Sequence, residues 1–348
     1  MKEHIKQIYM NIKKSYWNHG FNKDAFFYLR HIESREGKLN KSLVKMCDEY
    51  ALDCFKSKVY APWLYVYTAM HKEFKEGWIP DNYFGIEILP KINGSYGKIA
   101  SLRPLNKRIF QNSSFFPDLI YVVNGKFLDS KTLEQLDFNT TKKILFNEHE
   151  EIVYKKNESA KGKGIIFLKK DDFSLDNINS IGDGVFQYKV DQHDFFKNFN
   201  KAVATLRVNS FINIDGKCEI VFCDLRLPTG NVTHVFDGSY IRIPVDPNSG
   251  KLLKEGYFTN WESTSTHPDN NQIYNQLEIP QYSNIIKCVK KLHLSYPLAR
   301  IIGWDIIVDS NNNIQILEWN ANHPGIKFAE ATVGPIFSAN DFSDISND

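Results

Sequence analysis

The chain has 348 residues, a formal net charge of +2, and 42% hydrophobic and 24% charged residues. This composition is typical of a globular protein with about two or three structural units, and the near-neutral charge argues against a nucleic-acid partner. The five cysteines show no CxxC pair or metal-ligand spacing, which favours reduced thiols and a cytoplasmic location. No apolar run approaches the ~18 residues of a membrane-spanning helix.

Residues 1–80 predict a helical N-terminal segment, because apolar residues recur at helical spacing. Ile5, Ile8, Tyr9 and Ile12 fit one face of a first helix. The residues that fit the inward face of a second helix are Leu43, Met46, Cys47, Tyr50, Ala51 and Cys54. We therefore expect each helix to bury one such face in a helical packing unit.

The chain from residue 81 onward changes from helical to strand patterns. The stretch DLIYVVNGKFLD predicts two strands around a type I′ turn at Asn124–Gly125. After residue 150, apolar strands follow one another through hairpins, with one clear helical pattern in EIPQYSNIIKCVKKLHLSY. Strands joined by hairpins, with few helices between them, predict an α+β fold with antiparallel sheets.

The last predicted hairpin, RIIGWDIIVDSNNNIQILEWN, carries two carboxylates and a carboxamide. A four-residue loop at 310–313 would set Asp305 opposite Glu318 and leave Asn320 on the same face. Two facing carboxylates repel each other unless a cation lies between them, and oxygen ligands suit Mg²⁺. The alternative is that Glu318 makes an ordinary ion pair with an arginine and Asn320 caps a turn.

A loop with two glycines, NESAKGKG, lies between the predicted strands EEIVYKK and IIFLKK. Gly162 and Gly164 would let the backbone bend around a phosphate, near Lys155, Lys161 and Lys163. The alternative is a solvated hairpin tip. The loop is not a Walker A motif, because no GK[ST] sequence opens a helix there.

A predicted hairpin around Asp215–Gly216 places two arginines on one face. A two-residue turn would set Arg207 opposite Asp224, with Arg226 on the same face. Arginines arranged around one aspartate favour recognition of a carboxylate or phosphate. The alternative is a purely structural Arg–Asp–Arg network.

The order of these three motifs resembles the ATP-grasp superfamily. The chain is most similar to the sugar-transfer-associated ATP-grasp family of bacterial surface-polysaccharide (capsule or O-antigen) biosynthesis. The segments that carry the resemblance are LNKRIF, VYKKNESAKGKGI, FQYKVDQH, ATLRVNSF, IPVDPNSGKL, THP and IGWDIIVDSNNNIQILEWN. The resemblance implies an ATP-grasp fold, in which two α+β lobes grip ATP, with a helical N-terminal segment.

The resemblance also implies roles for individual residues, with ATP and Mg²⁺ as cofactors. The expected nucleotide contacts are Lys107, Lys155, Lys161, Gly162, Lys163, Gly164, Gln187, Lys189 and Val190. The expected catalytic residues, facing the transferred phosphoryl group or the substrate, are Arg207, Arg226 and His267. The expected magnesium ligands are Asp305, Glu318 and Asn320. Asp191 or Gln192 is the expected contact at the adenine hinge.

The implied organisation has five parts. These are a helical subdomain at 1–80, a first lobe at 81–149, a glycine-loop and adenine-binding lobe at 150–200, a metal- and substrate-binding lobe at 201–335, and a polar tail at 336–348.

The implied activity is ATP-dependent ligation of a carboxylate to an amine through an acyl phosphate, with a sugar-linked substrate and possible association with other polysaccharide-biosynthesis enzymes. The alternatives are a kinase that phosphorylates a sugar hydroxyl and a non-catalytic nucleotide-binding partner of a glycosyltransferase.

Overall fold

The computed structural model describes residues 2–345 with the exception of 112–113, 158, 160–163, 175–180, 233–237 and 339. Three helices form the N-terminal segment: α1 (Lys2–Glu36), α2 (Lys41–Phe55) and α3 (Ala61–His71). Asn40 caps α2 by accepting a hydrogen bond from the Ser42 amide. The predicted helical segment is therefore confirmed.

The N-terminal helices bury one shared face. Ala25 and Leu29 of α1 pack in one cluster with Cys47 and Ala51 of α2, as expected. Met46 and Cys54, which were also expected to face inward, are exposed, so that part of the expectation is wrong. The core also includes Trp63 of α3, which is fully buried. The same cluster includes Phe222, Trp261 and Phe328, so the helical layer shares its apolar interior with later parts of the chain.

The expectation that the first turns of α1 bury Ile8, Tyr9 and Ile12 is wrong, because all three side chains are exposed. The opposite side of α1 contacts the rest of the chain instead. There Lys14 pairs with Glu87 at 2.8 Å, and Asn18 accepts a hydrogen bond from Asn82. Helical spacing indicated a common face but not which face packs.

Short helical turns connect α3 to the first strand. They are Asp81–Tyr83, a π-helical turn at Phe84–Ile88, Leu89–Ile92, 3-10 turns at Tyr96–Ser101 and Arg103–Leu105, and Asn106–Ile109. A further 3-10 turn, Lys58–Tyr60, lies between α2 and α3.

A six-stranded antiparallel sheet follows, with strand order β3-β2-β1-β6-β4-β5. Its strands are β1 (Asp118–Val123), β2 (Lys126–Asp129), β3 (Gln135–Leu136), β4 (Glu151–Lys156), β5 (Ile165–Lys169) and β6 (Gly184–Tyr188). The turn between β1 and β2 has φ of 50° at Asn124 and 71° at Gly125, as a type I′ turn requires. The helix Phe138–Phe146 packs on this sheet.

A seven-stranded antiparallel sheet has strand order β11-β10-β9-β8-β7-β12-β13. Its strands are β7 (Thr205–Ile212), β8 (Cys218–Pro228), β9 (Tyr240–Val245), β10 (Gly256–Tyr257), β11 (Ser263–Thr264), β12 (Ile301–Val308) and β13 (Ile314–Asn320). The amphipathic helix Tyr282–Ser295 packs against it, and Trp304 and Trp319 stack in the same core. The predicted α+β fold with antiparallel sheets is confirmed.

The remaining elements are short. They are the helices Asp194–Lys197 and Lys327–Thr332 and the 3-10 turns Lys170–Asp172, Tyr274–Gln276 and Ser343–Ile345. Among the residues described, no helix combines the length and the apolar character that crossing a membrane requires. Strands on both sides of residue 150 share the first sheet, and the predicted domain boundaries remain predictions.

The β12–β13 hairpin sets Asp305 opposite Glu318, as predicted. Nearer the tip, however, Val308 pairs with Ile314, so the loop is one residue longer than expected. A β-bulge at Leu317 adds one residue to β13 and restores the predicted register at the carboxylates.

The β7–β8 hairpin follows the same plan. Arg207 lies opposite Asp224, as predicted, while Ile212 pairs with Cys218 near the tip. The turn therefore has three residues instead of two, and a bulge at Val221 restores the register. In both hairpins, the bulge lies between the tip and the charged residues.

Candidate functional site

A cavity of about 960 Å³ lies between the two sheets. Its apolar wall includes Val153, Phe167 and Val190. The charged side chains that line it are Lys98, Arg103, Lys155, Lys189, Arg207, Asp224, Arg226, Arg242, Asp305, Glu318 and Lys327. Among these described residues, cations outnumber carboxylates eight to three, so the cavity favours an anionic ligand.

Asp305 on β12 is held by two arginines. Arg207 donates two hydrogen bonds to its carboxylate, from Nε at 2.6 Å and from Nη2 at 2.9 Å, and Arg226 Nη1 lies 3.8 Å away. Burial alone would raise the pKa of Asp305, but the two arginines hold it below its usual value. Asn320 Nδ2 donates to Asp305 Oδ2 at 3.3 Å, which brings two of the expected metal ligands together.

Glu318 lies across from Asp305 and pairs with Arg103, whose Nη2 is 3.2 Å from Glu318 Oε2. This is the ion pair that the sequence left open as the alternative, made by an arginine that sequence analysis did not identify. Arg103 also donates to the backbone oxygens of Lys156 at 2.5 Å and Ser159 at 3.4 Å. One guanidinium therefore joins the end of β4 to the expected metal ligand.

The donor set of Asp305, Glu318 and Asn320 fits a hard divalent cation. No group of three or more His, Cys, Asp or Glu residues is placed to hold a metal within the described part of the chain. Two carboxylates and a carboxamide nevertheless supply oxygen donors from one sheet face, and Mg²⁺ commonly completes its shell with water and phosphate oxygens. These residues are therefore candidates to hold Mg²⁺.

Asp224 on β8 is fully buried and is bound mainly by Arg242. Arg242 donates to it from Nε at 2.9 Å and Nη2 at 2.8 Å, and Arg226 Nε lies at 3.3 Å. Burial opposes ionisation, yet these two arginines hold the pKa of Asp224 below its usual value. Arg207, opposite Asp224 on the backbone, pairs with Asp305 instead.

Arg207, Arg226 and Arg242 thus form one arginine network with Asp224 and Asp305. Its three cations and two carboxylates leave one surplus positive charge. Sequence analysis missed Arg242, although it alternates with the buried residues Ile241 and Ile243 along β9. That alternation was a usable signal, because it directs Arg242 to the sheet face opposite the core.

Lys155 on β4 reaches across the cavity to the second sheet. Its buried Nζ donates a 3.0 Å hydrogen bond to the Leu317 carbonyl oxygen. Burial lowers the pKa of Lys155 to about 8, with Glu318 opposing that shift and Arg103 reinforcing it. A buried cation that faces an open cavity is suited to bind a phosphate.

Three residues expected at the adenine pocket, Gln187, Lys189 and Val190, line the cavity. Gln187 Nε2 donates to Asp118 Oδ1 at 2.6 Å, and burial raises the pKa of Asp118. Lys189 pairs with Glu151 at 2.5 Å. The structure therefore gathers these three residues on the same wall as Phe167.

The two residues expected at the adenine hinge lie outside the cavity lining. Gln192 donates hydrogen bonds to the backbone oxygens of Asn200 and Ala202. Asp191 pairs with Lys197 at 2.8 Å. The hinge contact expected of either residue is therefore not supported by its placement.

Lys107 and His267 are also not among the residues that line the cavity. Lys107 Nζ is buried and donates to the Asp118 carbonyl oxygen at 2.5 Å and to Ser130 Oγ. His267 is fully buried, with Nε2 3.2 Å from the Pro228 carbonyl oxygen. Burial lowers the pKa of both side chains, and neither is positioned in this structure for its expected role.

The glycine loop is described only in part, since Lys161, Gly162 and Lys163 lie outside the described residues. Gly164 accepts a hydrogen bond from the Lys156 amide at 2.9 Å. A Cβ at Gly164 would lie 2.4 Å from the Ser159 side chain, so this position requires glycine.

The chain is similar to several solved structures over part of their length. For the ATP-grasp ligase PsnB complexed with a minimal precursor, the TM-score is 0.42 and the identity 11%, over 73% of this chain and 61% of that one. For N5-carboxyaminoimidazole ribonucleotide synthetase from Thermotoga maritima, the values are 0.40 and 11%, over 73% and 51%.

For L-amino acid ligase from Bacillus licheniformis, the TM-score is 0.36 and the identity 12%, over 65% and 42% of the two chains. The chain therefore covers less than two thirds of the length of each of these three structures. No curated protein matches the chain.

A family model described as sugar-transfer associated ATP-grasp matches residues 173–337. The matched range extends from just before β6 to beyond the helix Lys327–Thr332, and it includes the hairpins that carry Arg207, Asp305 and Glu318. The resemblance expected from the motifs is thereby confirmed: residues 173–337 of this chain match the model of the sugar-transfer associated ATP-grasp family.

Proposed function

We propose that the protein is an ATP-dependent ligase that joins a carboxylate to an amine through an acyl phosphate. The observation that carries the proposal is the meeting of two charged groups of residues in one cavity. From the side of the first sheet, Lys155 contacts the Leu317 carbonyl oxygen and Arg103 contacts the Glu318 carboxylate. The second sheet contributes Asp305, Glu318 and Asn320 together with Arg207, Arg226 and Arg242.

In the proposed reaction, a carboxylate oxygen of the substrate attacks the γ-phosphorus of ATP, and the bond to the ADP oxygen breaks. The resulting acyl phosphate is attacked by an amine, which loses a proton as phosphate leaves, and an amide remains. The protein supplies positioning and charge neutralisation for these steps.

Lys155 binds ATP phosphates in this proposal, with Lys161, Gly162, Lys163 and Gly164 as the predicted closing loop. Gln187, Lys189 and Val190 line the nucleobase end, next to Phe167. The apolar character of this wall suits a planar base, whereas the cations suit phosphates. Lys107 would have to break its buried hydrogen bonds to Asp118 and Ser130 before it could bind a phosphate.

Arg207 and Arg226 neutralise the negative charge that develops on the transferred phosphoryl group, and removing one such group typically costs about 10²–10³ in rate. Asp305, Glu318 and Asn320 would hold Mg²⁺, which when bound neutralises phosphate charge. His267 is left out of the catalytic set because both ring nitrogens face backbone groups.

The substrates we propose are a small carboxylic acid and an amine, one of them linked to a sugar in surface-polysaccharide biosynthesis. The description of the matched family, sugar-transfer associated, motivates the sugar. The surplus positive charge of the arginine network next to Asp305 suits the acid. Association with other polysaccharide-biosynthesis enzymes remains a prediction.

The first experiment is thermal unfolding of the wild type and Glu318→Ala, with and without Mg²⁺ and ATP. A ligand at 100 times its Kd should stabilise the fold by about 2.7 kcal/mol. We expect a magnesium-dependent shift that Glu318→Ala loses and that Glu148→Ala, an exposed glutamate away from the cavity, retains. No shift in a well-folded wild type would contradict the nucleotide site.

The second experiment measures products with a panel of acids and amines, including sugar-linked ones. A ligase releases ADP and free phosphate and forms an amide. A kinase would release ADP without phosphate and leave a phosphorylated hydroxyl. Bound nucleotide that never turns over with any pair would instead favour a non-catalytic partner of a glycosyltransferase.

A further inference from the structure

Helix α1 carries a line of large apolar side chains that face away from the rest of the chain. Ile8 is 47% exposed, Tyr9 61%, Ile12 65% and Tyr16 77%. At about 100° per residue, these four positions lie within an arc of about 100°. The arc forms one continuous stripe along the first half of the helix.

The opposite side of α1 makes the contacts that anchor the helix. Asn18 is buried and bonds to Asn82, and Ala25 and Leu29 lie in the N-terminal core. These positions lie well away from the apolar stripe around the helix axis. The stripe is therefore not the packing face of the helix against the described residues.

The stripe continues into the second half of the helix with Phe26 and Phe27, which are both exposed. Lys23 precedes these two rings in the helix, and Arg30 follows them. Both lie on the same side of the helix as the rings, and both are exposed. We name the outward face of α1 as the set Ile8, Tyr9, Ile12, Tyr16, Lys23, Phe26, Phe27 and Arg30.

The charge of this face is positive. Residues 8–30 contain four lysines and arginines and a single acidic residue, Asp24. Asp24 is engaged with Lys327 at 3.6 Å, and Lys14 with Glu87 at 2.8 Å. Lys23 and Arg30 therefore set the charge of the outward face.

These features decide which kind of partner fits. A second copy of the chain would bring two positive faces together, and the like charges would oppose pairing. A surface with negative headgroups above an apolar layer satisfies both the cations and the rings, as it does for basic amphipathic helices. We propose that the outward face of α1 binds the surface of an anionic lipid membrane and lies in its plane.

This surface binding is separate from the proposed ligase activity, because none of the outward-face residues is among those lining the cavity. The helical layer nevertheless connects the two regions. Lys327, at the rim of the cavity, lies over the rings of Tyr28 in α1 and Trp63 in α3. A membrane-bound α1 would thus hold the cavity close to the lipid surface.

The test is co-sedimentation of the whole protein with vesicles of phosphatidylcholine alone or mixed with phosphatidylglycerol. We expect binding only to the anionic vesicles and its loss at high salt. The double variant Ile12→Ser/Tyr16→Ser should lose binding. Lys23→Gln/Arg30→Gln should bind about thirtyfold more weakly, because each cation near such a surface contributes roughly a fivefold factor.

The matched control is Leu294→Ser/Leu298→Ser, which changes two leucines of similar exposure, 51% and 50%, elsewhere on the surface. It should bind vesicles like the wild type. The proposal is overturned if the wild type ignores anionic vesicles or if Ile12→Ser/Tyr16→Ser binds them normally. It is also overturned if the wild type is a dimer that Ile12→Ser/Tyr16→Ser dissociates, since the face would then join two copies.

Discussion

Lys155 and Leu317 connect the two sheets directly, through a 3.0 Å hydrogen bond from Lys155 Nζ to the Leu317 carbonyl oxygen. Leu317 is the bulged residue of β13, so its backbone is displaced from the regular pairing with β12. The bulge therefore both sets the register of Asp305 and Glu318 and contributes the acceptor for the lysine.

Replacing Lys155 with Met should weaken ligand binding but change the free energy of unfolding only slightly. Burial lowers the pKa of Lys155 to about 8, so the folded state holds this charge at a cost that offsets the lost hydrogen bond. We expect the free energy of unfolding without nucleotide to change by less than about 1 kcal/mol. Calorimetric titration should show ATP binding weakened by roughly tenfold to hundredfold.

The control for this change is Lys156→Met on the adjacent, exposed position of β4. It should bind ATP like the wild type. Equal loss of binding in both variants would mean that the general charge of β4 matters and not the position of Lys155.

The two candidate metal ligands should differ in what they do for stability. Asp305 is the carboxylate partner of Arg207 and a second partner of Arg226, so Asp305→Asn leaves the largely buried Arg207 without its counter-charge and should cost about 3 kcal/mol. Glu318 is about one-third exposed and has one arginine partner, so Glu318→Gln should cost at most about 1 kcal/mol. Urea unfolding measures both.

Both substitutions should abolish the magnesium-dependent part of the ATP stabilisation. If Glu318→Gln is as destabilising as Asp305→Asn and retains that stabilisation, then Glu318 serves only as an ion-pair partner of Arg103.

Arg103→Lys should weaken nucleotide binding although it keeps the positive charge. A lysine cannot reproduce the planar set of donors that contacts Glu318 and two backbone oxygens at once. We expect a roughly tenfold increase in the Kd for ATP with Mg²⁺, measured by titration. Arg108→Lys, on an exposed arginine outside the cavity lining, is the control. An unchanged Kd in Arg103→Lys would show that charge alone suffices.

Glu330 should make stability depend on pH. It is fully buried, and its carboxyl oxygens accept hydrogen bonds from the Ile79 and Ile336 amides. Burial raises its pKa from 4.5 to about 8. Between these values, the folded state keeps the proton that the unfolded state releases. The free energy of unfolding should therefore decrease as the pH rises from 4.5 toward 8.

Glu330→Gln removes the titrating group and should flatten this decrease, as urea unfolding across that pH range would measure. Glu148→Gln, on an exposed glutamate, should retain the slope of the wild type. The same slope in Glu330→Gln as in the wild type would assign the pH dependence to other buried acids, such as Asp81.

The sequence correctly predicted that Asp305 faces Glu318, although the loop length used for that prediction was wrong. The loop is longer than expected, and the unpredicted bulge at Leu317 compensates for it. Alternation along a strand identifies which residues share a face, but a bulge leaves little trace in the sequence.

Arg103 could not be predicted as a site residue, because it lies 215 positions before Glu318 and within short helical turns. Such a contact depends on how the two sheets are placed relative to each other, which local patterns do not encode. The face of α1 shows a related limit. Its periodicity was visible from Ile8 to Ile12, but the contacts that decide burial come from Asn82 and Glu87.

The two bulges isolate the hairpin tips from the cavity. Val221 lies between the Asp215–Gly216 tip and Asp224, and Leu317 lies between the last tip and Glu318. A length change at either tip would be confined to the loop, because pairing on the cavity side of each bulge sets the register there. Both tips are therefore suitable places to insert an affinity tag or a fluorophore that reports on closure without altering the chemistry.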